Sequence, residues 1–180
     1  MTLRPSFRPT LLAATLGALL AALPAQAASH TLGGGANFWR TIDGLPSSSD
    51  VENIEDDGYS YVFSYQLRPR GIFTLQVDVE YFEDGYAGSV EEAFAPQVFL
   101  LVGRGFYAGV GAGVTISDGL EDSPSDAFYM GRIGWDLALL GPLELDLHAT
   151  YRFESWDELE DIEFDSDVFT LGAIVRFQIN

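Results

Sequence analysis

The sequence of 180 residues predicts an all-β fold, an eight-stranded antiparallel up-and-down β-barrel. Three observations predict it: apolar and polar residues alternate along eight segments, turn residues separate these segments, and short connections alternate with long ones. Residues 73–85, F-T-L-Q-V-D-V-E-Y-F-E-D-G, show the alternation most plainly. A period of two is that of a β-strand, because successive side chains of a strand point to opposite faces of the sheet.

Residues 1–27 are predicted to be a secretory signal peptide. Arg4 and Arg8 give a basic start, residues 11–23 are mainly apolar, and A-Q-A at 25–27 is a small-residue cleavage site. The apolar run is too short for a permanent membrane helix. The alternative, a buried helix of a soluble domain, does not explain this order of features. We therefore expect export through the Sec pathway and one barrel domain at 28–180.

Composition excludes several classes of protein. The part after residue 27 keeps seven arginines, no lysine and all 27 acidic residues, a formal charge of 7 − 27 = −20. A basic surface for nucleic acid is therefore absent, and we expect no such partner. The chain has no cysteine, so we expect neither a disulfide framework nor attachment as a lipoprotein.

The predicted strands follow one another with alternating short and long connections. They cover, in chain order, residues 30–40, 59–68, 73–85, 93–102, 106–116, 127–140, 143–154 and 168–179. Three connections are short turns, R-P-R-G at 68–71, G-R-G at 103–105 and G-P at 141–142. The other four, at about 41–58, 83–92, 117–126 and 155–167, are longer and rich in Asp, Glu, Ser and Gly. Short turns at one end and long loops at the other are typical of a transmembrane barrel with short periplasmic turns and longer, here acidic, extracellular loops.

A soluble barrel of the lipocalin or avidin type is the alternative, since its strands also alternate, with the apolar face inward. An eight-stranded interior is just wide enough for its own side chains, and the apolar faces here carry many large ones. The opposite faces carry small residues, namely Gly33, Gly35, Gly109, Gly111, Gly113, Gly134 and Gly172. We therefore expect small and charged groups inside, no ring of large aromatic residues there, and the apolar face in contact with lipid.

Aromatic residues gather towards the strand ends, as in the girdles at the two membrane interfaces. Near the loops are Tyr59, Tyr61, Tyr81, Phe153 and Trp156, and near the turns are Phe73, Phe106 and Phe177.

The signal peptide, the eight strands and the final strand F-T-L-G-A-I-V-R-F-Q-I-N resemble the small outer-membrane β-barrel proteins of Gram-negative bacteria, of the OmpA-transmembrane-domain and OmpX type. The resemblance implies the outer membrane as location, with its lipids and lipopolysaccharide as neighbours and the barrel-assembly machinery as a partner during biogenesis. We expect a monomer. Members of the class usually end on an aromatic residue, whereas here the alternation stops at Ile179, before Asn180, which shifts the assembly signal.

Ten charged or ionisable residues are predicted to face the lumen. They are Arg68, Asp78, Glu80, Arg132, Asp136, Glu144, Asp146, His148, Arg152 and Arg176. Charges in a narrow, poorly hydrated space must be paired and hydrogen-bonded, and the planar guanidinium of Arg suits carboxylates. We predict a salt-bridged polar core that fills the barrel. The alternative is a narrow, porin-like pore that prefers cations, because acids slightly outnumber bases when Glu154, which the alternation also turns inward, is counted with these ten.

His148 and Thr150 are similar in spacing to the His-x-Ser pair of outer-membrane lipid A deacylases. A hydroxyl nucleophile needs such an adjacent base. Both residues, however, fall on the lumen face, whereas acyl chains lie outside the barrel. We therefore expect His148 to be the partner of a carboxylate and the chain not to be an enzyme.

The last long connection holds a cluster of acids. Asp157, Glu158, Glu160 and Asp161 could bind Ca²⁺ or Mg²⁺ loosely, because carboxylate oxygens are the ligands that these ions prefer. The alternative is a solvated, self-repelling rim, since the order D-x-[DN]-x-[DN]-G of a calcium loop is missing. The sequence thus predicts a structural or surface-interaction role through acidic loops, without another cofactor.

Overall fold

The computed structural model describes residues 28–41, 57–83, 92–117, 127–153 and 168–179. These residues form nine strand segments: β1 (Ser29–Thr41), β2 (Asp57–Arg68), β3 (Phe73–Phe82), β4 (Ala93–Arg104), β5 (Phe106–Gly113), β6 (Ile116–Ser117), β7 (Phe128–Ala138), β8 (Leu143–Phe153) and β9 (Val168–Ile179). Both β5 and β6 pair with β4, so they are two parts of one barrel strand, interrupted at Val114 and Thr115. In the described ranges, no helix is long and apolar enough to cross a membrane.

The sheet closes on itself. Each strand pairs antiparallel with the next along the chain, and β1 pairs with β9 from His30 opposite Ile179 to Thr41 opposite Val168. The predicted fold class, a closed eight-stranded antiparallel barrel, is confirmed. Closure satisfies the backbone hydrogen bonds along both edges of every barrel strand, which a structure in lipid requires.

The three short connections lie at one end of the barrel, which we call the turn end. Their glycines turn the chain where a Cβ would be strained: φ is +136° at Gly103 and +60° at Gly141. The opposite end, where the four long connections attach, is the loop end. The third predicted strand extended too far towards the loop end, since β3 stops at Phe82.

The apolar face points outward, as predicted. In β3, Phe73 is 55% exposed and Val79 is 40% exposed, whereas Asp78 between them in the same alternation is fully buried. Tyr59, at 73%, is among the most exposed aromatic side chains near the loop end. Phe153 differs from the predicted girdle, because it is buried beside the rings of Tyr129 and Tyr151.

The interior also holds large aromatic side chains, so the prediction that the lumen contains only small and charged groups was wrong. Four buried aromatic residues each lie directly opposite a glycine of the neighbouring strand: Trp39 opposite Gly58, Phe99 opposite Gly111, Tyr107 opposite Gly134, and Phe128 opposite Gly113. At each of these glycines an added Cβ would touch the ring across the pair. The interior glycines therefore make room for rings, so small residues on a face do not show that the lumen lacks large ones.

Several predictions concern residues outside the described ranges. They are the signal peptide at 1–27, most of the four long connections, Trp156, Asn180, and the candidate ligands Asp157, Glu158, Glu160 and Asp161. These stay predictions.

Candidate functional site

The lumen is the candidate site, and the structure places all ten predicted residues on inward-facing positions of the strands. Seven of them are buried to 8% exposure or less. The remaining three, Arg68, Asp136 and Glu144, lie at the turn end, where their side chains are 16–22% exposed. Nine of these ten residues form four clusters along the barrel, and the tenth, Arg152, lies over the ring of Phe128.

The first cluster lies at the mouth of the turn end. Arg68 of β2 donates from Nη2 to Asp136 Oδ2 of β7 and from Nη1 to Glu144 Oε2 of β8, each over 2.8 Å. These residues line a cavity of about 410 Å³ together with Arg70 and Arg104 of the turns. Water can therefore reach this cluster from the turn end.

The second cluster is centred on Asp146 of β8. Its Oδ1 lies 2.6 Å from His148 Nδ1, and its Oδ2 accepts from Tyr107 Oη at 2.7 Å and from Arg176 Nη2 at 3.2 Å. Arg176 of β9 also donates from Nη1 to Ser64 Oγ of β2 at 2.6 Å. The cluster thus connects four strands, with the side chains of Asp146, His148 and Arg176 fully buried.

The third cluster contains an ion pair that spans the lumen. Arg132 Nη1 of β7 donates to Asp78 Oδ2 of β3 at 2.7 Å, and Arg132 Nε donates to Thr150 Oγ1 at 2.9 Å. The guanidinium carbon lies 3.7 Å from the centre of the Phe99 ring, a cation–π contact. Gln76 Nε2 completes the shell of Asp78, at 2.9 and 2.7 Å from its two oxygens.

The fourth cluster surrounds Glu80, and its donors are neutral. Glu80 Oε1 accepts from Asn37 Nδ2 at 2.7 Å and from Ser60 Oγ at 2.5 Å, and Oε2 accepts from Gln97 Nε2 at 2.7 Å. Hydrogen bonds to a charged acceptor are the stronger kind, so three donors can replace an ionic partner.

Arg152 stacks on an aromatic ring. Its guanidinium carbon lies 3.1 Å from the centre of the Phe128 ring, and Nη2 donates to Thr115 Oγ1 at 3.0 Å. The described inward charges thus contact neutral amides, hydroxyls and rings as well as opposite charges.

The neutral members of these clusters are not among the site residues that the sequence predicts. They are Asn37, Ser60, Ser64, Gln76, Gln97 and Tyr107, all buried. Their alternation with outward apolar residues indicates that these side chains point into the lumen. Their partners could not be found in this way, because partners depend on which strands face each other across the lumen.

His148 and Thr150 are engaged separately. His148 contacts Asp146, whereas the Thr150 hydroxyl accepts from Arg132. Within the described ranges, no three His, Cys, Asp or Glu side chains are grouped so that they could hold a metal ion.

A closed barrel of eight strands with an apolar exterior and a polar interior defines a class of protein. The chain has the fold of the small eight-stranded outer-membrane β-barrels, of the OmpA and OmpX type, as the sequence predicts.

Two solved structures illustrate this likeness. The chain is similar to Neisserial surface protein A, with a TM-score of 0.50 and 14% identity over 84% of this chain and 96% of that one. It is also similar to the outer-membrane protein OprG of Pseudomonas aeruginosa, with a TM-score of 0.51 and 12% identity over the same shares, 84% and 96%. No protein-family model and no curated protein matches the sequence. At such identities the likeness concerns the fold alone.

Proposed function

We propose that this protein is an integral outer-membrane β-barrel with a closed, salt-bridged interior and a structural or surface-interaction role through its acidic extracellular loops. The outward apolar face and the fold of the similar outer-membrane proteins support this location. In this proposal, the chain is exported through the Sec pathway, assembled as a monomer by the barrel-assembly machinery, surrounded by lipid and lipopolysaccharide, and without enzymatic activity.

One observation supports the proposal of a closed interior. The Arg132–Asp78 pair crosses the lumen between strands that are not neighbours in the sheet. Thr150 and Gln76 hold the two ends of the pair, and Phe99 lies against its guanidinium. A solute would have to break these contacts to pass. An eight-stranded barrel has room for its side chains but not for a wide aqueous channel besides them.

The surface role rests on the loop sequences. The last long connection carries Asp157, Glu158, Glu160 and Asp161 among further acids, which makes the loop end strongly anionic. A field of one sign attracts cations and cationic partners and repels other acidic surfaces. Loops on a rigid barrel are where binding residues usually lie.

A narrow cation-preferring pore is the second candidate. The cavity of about 410 Å³ at the turn end favours it, because that cavity brings water to the carboxylates of Asp136 and Glu144. The path beyond the cavity meets the buried Asp146 cluster and then the Arg132–Asp78 pair.

Conductance separates the two candidates. The mature chain, residues 28–180, is refolded and inserted into planar bilayers beside Arg132→Ala and the control Arg40→Ala, whose arginine is exposed. We expect no conductance steps from the wild type or the control. We expect ion-conducting steps from Arg132→Ala. Reproducible cation-selective steps in the wild type would instead establish the pore. Silence of all three would show that the Arg132–Asp78 pair is not what closes the lumen.

A further inference from the structure

Two of the short turns are joined to each other at the turn end. The first turn connects β2 with β3, and the second connects β4 with β5. The backbone N–H of Gly103 donates to Ile72 O at 2.8 Å, and Arg104 Nε donates to Gly71 O at 2.7 Å. One of these hydrogen bonds is formed by the backbone and the other by a side chain. Together they hold the second turn against the first.

This arrangement brings one arginine of each turn to the cavity of about 410 Å³, which we call the mouth cavity. Arg70 and Arg104 are both exposed, and both line it. Because Arg104 Nε is bound to Gly71, the neighbour of Arg70 in the chain, the first turn orients the Arg104 guanidinium. No described residue accepts a hydrogen bond from the two Nη groups of Arg104 or from the guanidinium of Arg70. These donors are therefore available to a ligand.

The charges around the mouth cavity favour an anion at the turns. Three arginines, Arg68, Arg70 and Arg104, line the cavity together with two carboxylates, those of Asp136 and Glu144. Both carboxylates accept hydrogen bonds from Arg68. The lining thus has a formal surplus of one positive charge, in a chain whose formal charge is −18. The positive charge lies on the two turns, at Arg70 and Arg104.

Apolar side chains close to these arginines in the chain are exposed on the outer face of the barrel. They are Ile72, Phe73 and Phe106. In a membrane, aromatic residues at strand ends lie at the interface between hydrocarbon and head groups. Arginine side chains next to an apolar surface keep their charged ends in the polar layer. Arg70 and Arg104 would then lie at the depth of the lipid phosphates.

We propose that Arg70 and Arg104 bind a phosphate group at the turn end of the barrel. A guanidinium can donate two parallel hydrogen bonds to phosphate oxygens, and such charge-assisted bonds are the stronger kind. The volume of the mouth cavity is within the range of about 300–1,000 Å³ that is usual for small-molecule sites. The phosphate belongs to a phospholipid head group or to a soluble compound, and the exposed apolar side chains favour the head group. The lipid source rests on the proposed membrane location, whereas the site itself is independent of the acidic loops.

The test is a titration followed by NMR spectroscopy. The ¹⁵N-labelled barrel, residues 28–180, is refolded in micelles of an uncharged detergent without phosphate. Three probes are added separately: dihexanoylphosphatidylglycerol, dihexanoylglycerol, which has the same acyl chains without phosphate, and inorganic phosphate. The Nε–Hε signals of Arg70 and Arg104 report binding, and that of Arg40, exposed at the loop end, is the internal control. We expect dihexanoylphosphatidylglycerol to shift the first two signals saturably, and dihexanoylglycerol to shift neither.

Inorganic phosphate distinguishes the two sources. Saturable shifts with dihexanoylphosphatidylglycerol alone would identify the ligand as a lipid head group. Saturable shifts with inorganic phosphate as well would show that the site takes a phosphate group without its lipid. Absence of shifts with both phosphate probes would overturn the proposal. It would also be overturned by equal shifts with dihexanoylglycerol, or by equal shifts at Arg40.

A matched pair of variants tests the part of Arg70. Arg70→Gln removes a guanidinium of the proposed site, and Arg40→Gln removes an exposed one from the other end of the barrel. We expect the Kd of dihexanoylphosphatidylglycerol, read from the Arg104 signal, to rise about tenfold in Arg70→Gln, because one charge-assisted partner is lost. The Kd should not change in Arg40→Gln, and equal Kd values for the two variants would refute the site. The amide spectra show whether each variant folds, and if Arg70→Gln does not, the wild-type titrations decide alone.

Discussion

Arg132 Nη1 and Asp78 Oδ2 lie 2.7 Å apart across the lumen, with side-chain exposures of 2% and 0%. The two residues belong to β7 and β3, which have no hydrogen bonds to each other in the sheet. The pair therefore connects two walls of the barrel that the backbone leaves unconnected. Removing one partner of such a pair leaves a charge that is buried and uncompensated.

Arg132→Ala should lower the free energy of unfolding by about 3–5 kcal/mol. Asp78 would keep Gln76 as a partner but lose its counter-charge. Urea unfolding in lipid vesicles, followed by tryptophan fluorescence, measures the change, and Arg40→Ala is the control on the same chain. The double variant Asp78→Ala/Arg132→Ala should cost less than the sum of the single ones. Strict additivity would show that the two side chains do not interact.

Arg68→Ala should behave differently, although Arg68 contacts two carboxylates. Its side chain is 22% exposed at the mouth, so water and salt screen the interaction. We expect a loss of roughly 1 kcal/mol, in the range of partly solvated pairs. The loss should shrink when the unfolding series is repeated at high salt, whereas that of Arg132→Ala should hardly change. Equal salt dependence of the two variants would contradict the difference in burial.

Gly134→Ala should destabilise the barrel by about 1–3 kcal/mol, the usual cost of overpacking. The new methyl group would meet the Tyr107 ring, which cannot move away without losing its hydrogen bond to Asp146. Gly131→Ala on the same strand is the control, since its methyl group meets nothing within 4 Å. The midpoint of thermal unfolding, read as the gel shift of heated samples, compares the two. Equal midpoints would mean that the pairing of glycine and ring is not tight.

Glu80→Leu should be more damaging than Glu80→Gln. Leucine removes the acceptor for Asn37, Ser60 and Gln97. Each buried donor left without a partner lowers the free energy of unfolding by about 1–3 kcal/mol. Glutamine keeps one acceptor oxygen and a similar shape. The two variants are compared by urea unfolding against the wild type. A leucine variant as stable as the glutamine variant would show that Glu80 does not hold the three donors.

The sequence predicted which way each strand faces, and much of the site follows from that. The alternation along β3 places Asp78 and Glu80 inside without any knowledge of the other strands. It could not show that Asp78 meets Arg132, since that contact depends on the curvature that brings β3 opposite β7. The interior rings were missed for a related reason. Phe99 and Gly111 each fit the alternation of their own strand. Only the register of β4 with β5 places them opposite each other.

The pairing of β1 with β9 has a consequence for the order of events in assembly. One edge of β1 finds its partner in residues 168–179, the last strand of the barrel to be synthesised. Until that strand arrives, β1 and the growing sheet both present unpaired backbone groups beside an apolar face, which is the arrangement that favours aggregation. The barrel cannot close strand by strand during synthesis. The unfolded chain must therefore be kept from associating with other unfolded chains until all eight strands have been synthesised.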